Sequence, residues 1–355
     1  MKILVIGPSW IGDMMMSQSL YRTLKSQNPN IIIDVIAPAW CHPLLSRMPE
    51  VNEALLLPLG HDVIGLSIRW RLGQILHQKH YDQAFVLPGS LKSALIPFFA
   101  KIPHRIGWRG EMRYGLLNDI RVLNSADFPL MVQRYIALCY PRSHINSSRD
   151  LPQPLCMPTL KVQNKEKKIT LYAFKIYSKR PIIGFCPGAE SNPLKKWPHY
   201  HYSQLAEFLI KKGYQVLLLG STKDRITGER ILLNLSQEIK KYYCNLAGKT
   251  DLQQAIALLS CCHTVISNDS GLMHIAAALD RPLIALYGPS NPNFTPPLSK
   301  KSKIISLVSG CYSAQKRKTD EEYHPSLIQI TPEKVMMELK LLHYTCRSIN
   351  ASFND

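Results

Sequence analysis

Three short stretches of the sequence hold residues whose types and spacing suit chemistry on a charged ligand. In the first, Gly7-Pro8-Ser9-Trp10-Ile11-Gly12-Asp13, a carboxylate stands where an apolar strand gives way to a helix. Asp13 occupies the position at which a P-loop needs lysine, and the glycines lack the spacing of a dinucleotide fingerprint. Two roles are open to it: a general base in a cleft, or a residue that caps the helix and complements its dipole. The second stretch runs from Pro187-Gly188-Ala189-Glu190 to Lys195-Lys196-Trp197-Pro198. A tight turn and two lysines ahead of a helix suit phosphate oxygens, although a solvated lysine pair beside a packing tryptophan has the same pattern. The third, Asn268-Asp269-Ser270-Gly271-Leu272-Met273-His274, leads into the apolar helical run IAAAL. The N–H groups of Ser270, Gly271 and Leu272 at a helix N-terminus, equivalent to roughly half a positive charge, make a natural diphosphate site. Plain capping by Asp269 and Ser270, with His274 on the helix flank, is the simpler alternative.

Loops of this kind need strands that end beside them. Short β-branched runs predict strands at 2–7, 31–37, 54–58 and 84–87, with helices at 14–26 and, despite Pro97, at 90–100. Between Pro141 and Lys168 the prolines at 141, 152, 154 and 158 mix with polar and basic residues and mark a linker. A second series predicts strands at 181–186, 215–219, 264–267, 283–287 and 304–308, and helices at 202–212, 225–240, 252–261 and 271–279. Residues 309–324 read as polar and irregular, and Thr331-Pro332-Glu333 then signals the start of a C-terminal helix. The expected architecture is α/β: two Rossmann-like doubly wound domains, 1–160 and 161–330, facing across a cleft. Residues 331–355 form a helix and tail with the option of packing back on the first domain. Ligands in such sheets bind at the carboxyl ends of the strands, where all three loops fall.

Composition narrows the class. The 355 residues carry 43 Lys+Arg against 25 Asp+Glu, a formal net charge of +18. That length favours two domains, and 46% hydrophobic with 19% charged residues excludes wholesale disorder. No stretch approaches the roughly 20 apolar residues of a spanning helix. The N-terminal apolar run is too short for a signal peptide, so a cytoplasmic location is expected. Nine cysteines occur without a C-x-x-C pair, which points to buried free thiols rather than a disulfide framework or zinc site. Residues 1–170 hold 20 basic against 11 acidic residues and the remainder 23 against 14, so there is no basic tail. Between Arg69 and Arg121, nine basic and three acidic residues surround the apolar segment Ala94–Ala100, suggesting a basic, partly apolar face. No nucleic-acid-binding motif accompanies the charge.

The blocks GPSWIGDMMMSQSLYRTL, APAWCHPLLSRMPEVNEA, RIGWRGEMRYGLLND and NDSGLMHIAAAL with RPLIALYGPS resemble a known group. They are similar to the ADP-heptose:lipopolysaccharide heptosyltransferase II branch of glycosyltransferase family nine, from Met1 to the C-terminal helix. The resemblance implies a GT-B fold and an inverting transfer of L-glycero-D-manno-heptose from ADP-heptose to the first heptose of the lipopolysaccharide inner core. It implies that the first domain takes the acceptor and the second the nucleotide sugar. By the same resemblance Asp13 is the general base, and Lys195 with the amides of Ser270, Gly271 and Leu272 holds the diphosphate. Lys196, Asp269 and His274 then lie around the donor, Asp224 reaches the ribose, and Gly12, Arg109 and Arg113 lie on the acceptor side.

Relatives usually carry Gly-Pro-small-Lys-Arg-Trp where this chain has Asn192-Pro193-Leu194-Lys195-Lys196-Trp197. Asn tolerates left-handed backbone, so the turn is expected to survive, while Lys196 lacks the bidentate fork of arginine. No Asp-x-Asp pair occurs. With lysine and helix dipoles on the diphosphate, no obligatory metal or other cofactor is expected. The expected partners are ADP-heptose and an anionic lipopolysaccharide precursor glycolipid in the cytoplasmic leaflet of the inner membrane, with no nucleic acid. A same-family enzyme with another core acceptor, and a non-catalytic binder of anionic polymer, are the alternatives.

Overall fold

Apolar runs of four to six residues buried on both faces become parallel strands. In the computed structural model, which describes residues 1–60, 63–177, 179–190, 192–308 and 322–351, these strands fall into two units, Met1–Pro158 and Thr159–Asp355. The first unit runs β1 (Lys2–Ile6), α1 (Ile11–Gln27), β2 (Ile32–Ala37), α2 (His42–Leu45), β3 (Glu53–Leu56), α3 (Leu66–His77), β4 (Gln83–Val86), α4 (Leu91–Phe99), β5 (His104–Trp108), β6 (Asp119–Arg121) and α5 (Met131–Ala137). Its sheet has the order β3-β2-β1-β4-β5-β6, and Val5 at its centre stands opposite Val35 and Phe85.

The second unit contains α6 (Asn164–Ala173), β7 (Ile182–Cys186), α7 (His199–Lys211), β8 (Gln215–Leu218), α8 (Arg225–Leu233), β9 (Tyr243–Asn245) and α9 (Leu252–Cys261). It continues with β10 (Thr264–Asn268), α10 (Gly271–Ala278), β11 (Leu283–Tyr287), β12 (Ser302–Ser306), α11 (Pro325–Ile328) and α12 (Pro332–Ala351). The sheet order is β12-β11-β10-β7-β8-β9. Counted from its own first strand, each unit therefore reads 3-2-1-4-5-6, the doubly wound order. The order reverses between β1 and β4 in one unit and between β7 and β10 in the other, and those reversals are the places where such sheets bind ligands.

Several elements depart from expectation. The supposed linker ends inside α6, whose first turn begins at Asn164 and which packs on α9. The helix expected over 225–240 stops at Leu233, and β9 follows it. Residues 331–351, expected as a separate segment, belong to the second unit: α12 packs on α7, β11 and β12, placing Val335, Leu339 and Leu342 in that unit's core. Most of the stretch expected to be irregular at 309–324 lies outside the described residues.

Candidate active site

All three chemistry-bearing loops sit at the two reversal points. The Asp13 loop follows β1, the lysine loop follows β7, and the Asp269 loop follows β10.

In the second unit the two loops interlock. Asn268, the last residue of β10, is fully buried; its side-chain amide donates to the Pro187 carbonyl at 2.7 Å, and its Oδ1 accepts from the Trp197 N–H at 3.3 Å and the Tyr202 hydroxyl at 3.2 Å. Trp197, also fully buried, donates its indole N–H to the Ile330 carbonyl at 2.8 Å. These contacts fix the segment that carries the two lysines. Lys195 Nζ lies 2.6 Å from Asp269 Oδ2, with side-chain exposures of 23% and 8%, and Lys196 Nζ lies 2.9 Å from Asp224 Oδ1. Consecutive lysines thus each meet a buried carboxylate. The remaining oxygen of Asp224 accepts from the Ser221 N–H and hydroxyl. Gly188 allows the β7 loop to pass over this carboxylate, because a Cβ there would stand 2.6 Å from Asp224 Oδ2.

Asn192 behaves differently from expectation. Its φ is −154°, extended rather than left-handed, and its side chain accepts from the Leu194 N–H at 3.0 Å to start the turn at Pro193–Lys195. Asparagine serves here as a cap. Ser270 is the N-cap of α10 and makes no side-chain capping bond, and Ser270, Gly271 and Leu272 are half-buried beside the Lys195–Asp269 pair's loop.

His274 is buried in the first turns of α10. Burial lowers its pKa from 6.5 to about 4; the Asp269 carboxylate opposes that shift and the Lys195 ammonium adds to it. Between those two pH values the unfolded chain binds a proton that the folded chain refuses. The resulting stability is complete above pH ~6.5 and is lost as pH falls toward the folded pKa. The window is worth on the order of 3 kcal/mol. His274→Gln should therefore flatten the fall in thermal midpoint between about pH 7 and about pH 4.5. Parallel curves for variant and wild type would refute a buried neutral imidazole.

In the first unit, Gly7 lets the β1 loop turn tightly, since a Cβ would meet Met14 Cε at 2.6 Å and the Ile36 carbonyl oxygen at 3.1 Å. Trp10, rather than Asp13, is the N-cap of α1, so Gly12 and Asp13 lie in the first helical turn, both half-buried. The charge of Asp13 reaches the buried Tyr135 of α5, whose phenol is raised well above its usual pKa mainly by burial and then by that carboxylate. Arg109 is exposed.

Arg113 corrects the expectation of an acceptor contact. It is 1% exposed, and its guanidinium donates to the Pro88 carbonyl at 2.6 Å and to the Trp108 carbonyl. Buried so, the guanidinium ties the loop ends after β4 and β5 together, with only its Nε left without a partner, and it is not presented to solvent as an acceptor contact. Sequence reasoning also missed Asn268, Ser221 and Trp197 as the residues that set the lysines. The sole signal was Asn268 standing between a β-branched strand and an Asp-Ser-Gly turn. The eight cysteines among the described residues are all free, and no group of three or more His, Cys, Asp or Glu side chains with metal-binding geometry occurs among the described residues.

Comparison with known proteins places this geometry. The sequence profile of glycosyltransferase family 9 (heptosyltransferase) matches residues 69–324. The chain belongs to glycosyltransferase family 9. Both loops of the second-unit site fall inside the family 9 match, whereas the Asp13 loop precedes it. Over 96% of its length the chain is 60% identical to lipopolysaccharide heptosyltransferase 2 of Salmonella typhimurium, covering 98% of that protein. It is 55% identical to lipooligosaccharide heptosyltransferase 2 of Haemophilus influenzae, over 96% of this chain and 99% of the relative. The solved structure of Escherichia coli ADP-heptose LPS heptosyltransferase II matches with a TM-score of 0.89 at 57% identity, covering 98% of this chain and 100% of that one. This family 9 glycosyltransferase therefore has the GT-B class of α/β fold, and the reading as a non-catalytic polymer binder is set aside.

Proposed function

We propose that the chain transfers L-glycero-D-manno-heptose from ADP-heptose to the first heptose of the lipopolysaccharide inner core, with inversion at the anomeric carbon. The observation that carries this reading is its 60% identity, over nearly the whole chain, to a protein named lipopolysaccharide heptosyltransferase 2. The second-unit loops supply what such a reaction needs. As the anomeric C–O bond breaks, its electron pair passes to the β-phosphate of the departing ADP. Lys195 and the N–H groups at the start of α10 are the donors aimed at that charge, and preorganised donors of this kind are commonly the largest catalytic term. Asp13 takes the proton of the attacking acceptor hydroxyl, whose oxygen forms the new bond from the face opposite the diphosphate. The proton then passes from Asp13 to solvent.

Asp269 and His274 line the donor's surroundings in this reading. Asp224, with its oxygens taken by Lys196 and Ser221, is assigned to holding Lys196 rather than to the ribose. Charge on the diphosphate is met by lysine and helix dipole, so turnover should proceed without an added metal ion. The test is a transfer assay with ADP-heptose and a heptose-I-terminated acceptor, read by mass with and without chelator. Product in both arms is expected. Loss in chelator that one ion restores would overturn the metal-free part, and product only with a different core acceptor would overturn the acceptor assignment.

The acceptor sits on a lipid, and we place the chain at the cytoplasmic face of the inner membrane. The expected docking face needs redrawing. Ala94, Leu95, Ile96, Pro97 and Ala100 are core residues, and Arg69, Arg113 and Arg121 are buried. Phe98, Lys101 and Arg109 of that stretch stay exposed, and the larger exposed apolar cluster is Val63, Ile64, Leu66, Trp70 and Ile75 on and before α3, with exposed Arg71 on the same helix. Buried Arg69 donates to the Ile64 carbonyl at 2.6 Å and so holds this apolar knuckle in place. No carboxylate occurs from Val63 to Tyr81, which suits the interfacial layer of an anionic bilayer. Among the described residues no helix is long and apolar enough to cross a membrane.

A further inference from the structure

Two of the chain's five tryptophans stand half in solvent at the carboxyl edge of the first sheet. Trp10 and Trp40 are each 47% exposed, on the loops that follow the adjacent parallel strands β1 and β2. Burial in the core accounts for neither. An N-cap position favours Ser, Thr, Asp or Asn, whose oxygen accepts a free helix N–H. Trp10 fills that position for α1 without any side-chain capping bond. Trp40 is the middle residue of the single turn Ala39–Cys41, and its indole N–H donates to the Ser9 carbonyl at 2.8 Å. That bond fastens the β2 loop to the residue next to Trp10 while nearly half of the indole stays in water. Asp13 lies in the first turn of α1, three residues after Trp10 at its N-cap.

Two large apolar side chains are thus left exposed within one small area, one of them at a helix N-cap. Such departures mark positions kept for function rather than for folding. The ligand class follows from the chemistry of the rings. A sugar is apolar on the C–H faces of its ring and polar around its rim. Indole offers a flat apolar surface with a negative face for those C–H groups, beside a polar N–H that is already satisfied at Trp40. We propose that Trp10 and Trp40 form a pyranose-stacking platform that seats the acceptor sugar beside Asp13. The identity of that sugar rests on the heptosyltransferase reading, whereas stacking is measurable without turnover.

The test has two arms. In the first, a lipid-free, heptose-terminated core oligosaccharide is titrated while tryptophan emission is recorded. A saturable change is expected in the wild type, and its loss in the Trp10→Phe/Trp40→Phe double variant, which keeps two aromatic faces but removes both reporters. In the second, Trp10→Ala and Trp40→Ala should each raise the acceptor KM about tenfold. The ADP-heptose KM and thermal midpoint should hold, and the Phe variants should recover most of the loss. A residue serving structure alone would move both substrates' constants and the thermal midpoint together. Acceptor KM within about twofold of wild type in both Ala variants, or an intact emission change in the Phe pair, overturns the proposal. If the Ala variants fail to fold, the Phe titration decides. A wild type that binds the oligosaccharide through these rings yet transfers nothing from ADP-heptose would support the platform and overturn the transferase reading.

Discussion

Asp13→Asn is expected to lower kcat by about 10²–10⁴-fold, the usual worth of a general base, with ADP affinity and thermal midpoint near wild type. The amide matches the carboxylate in size and keeps the half-buried first turn of α1 filled, but it cannot accept a proton from the acceptor hydroxyl. Position makes the competing role quantitative. Asp13 lies in the first turn, where a carboxylate complements the helix dipole by about 0.3–1 kcal/mol. If that were its whole role, Asp13→Asn would cost about that much stability and leave kcat within a few-fold. The two roles therefore predict effects on different measurements, and kcat, ADP titration and thermal unfolding on one preparation separate them. Near-full kcat with a lowered midpoint would leave Asp13 as a helix-dipole residue and return the search for the base to the rest of the first unit.

The sequence was most legible where a signal is local. The helix expected over 252–261 is α9 as observed, and in the structure Asp251 and Gln254 close a capping box at its start with bonds of 2.7 and 3.0 Å. The apolar runs at 182–186 and 283–287 become fully buried strands for the same reason. The last two strands of the first sheet, β5 and β6, were illegible. His104–Trp108 carries His, Arg and Gly, and Asp119–Arg121 is three residues long, so neither shows the apolar run of a central strand. The loops of the candidate site were visible as residue types, but their pairing was not. Lys195 and Asp269 are 74 residues apart, and only the adjacency of β7 and β10 brings them together. Arg113 shows the opposite failure. Its charge advertised a ligand contact, yet the carbonyls that occupy it come from Pro88 and Trp108, partners that only the folded chain assembles.

That pairing makes Lys195→Ala the second large effect, and a double one. Lys195 neutralises Asp269 in the ligand-free protein and, in the proposed reaction, meets the charge on the departing diphosphate. Removing it leaves a carboxylate of 8% side-chain exposure without its cation and costs stability. It also turns that carboxylate against an incoming diphosphate, so ADP affinity should fall about tenfold or more. Loss of a contact that strengthens as charge develops should lower kcat by about 10²–10³-fold. The single variant cannot separate these contributions, but Lys195→Ala/Asp269→Asn does. With the stranded charge gone, thermal midpoint should recover toward wild type and ADP affinity in part, because the repulsion from Asp269 is removed while the contact of Lys195 with the diphosphate stays lost. Turnover should not recover, since nothing in the double variant replaces the ammonium at the breaking bond. Recovery of kcat alongside affinity would mean that Lys195 acts only as the counter-ion of Asp269, and the catalytic charge would then rest on the N-terminus of α10 and on Lys196.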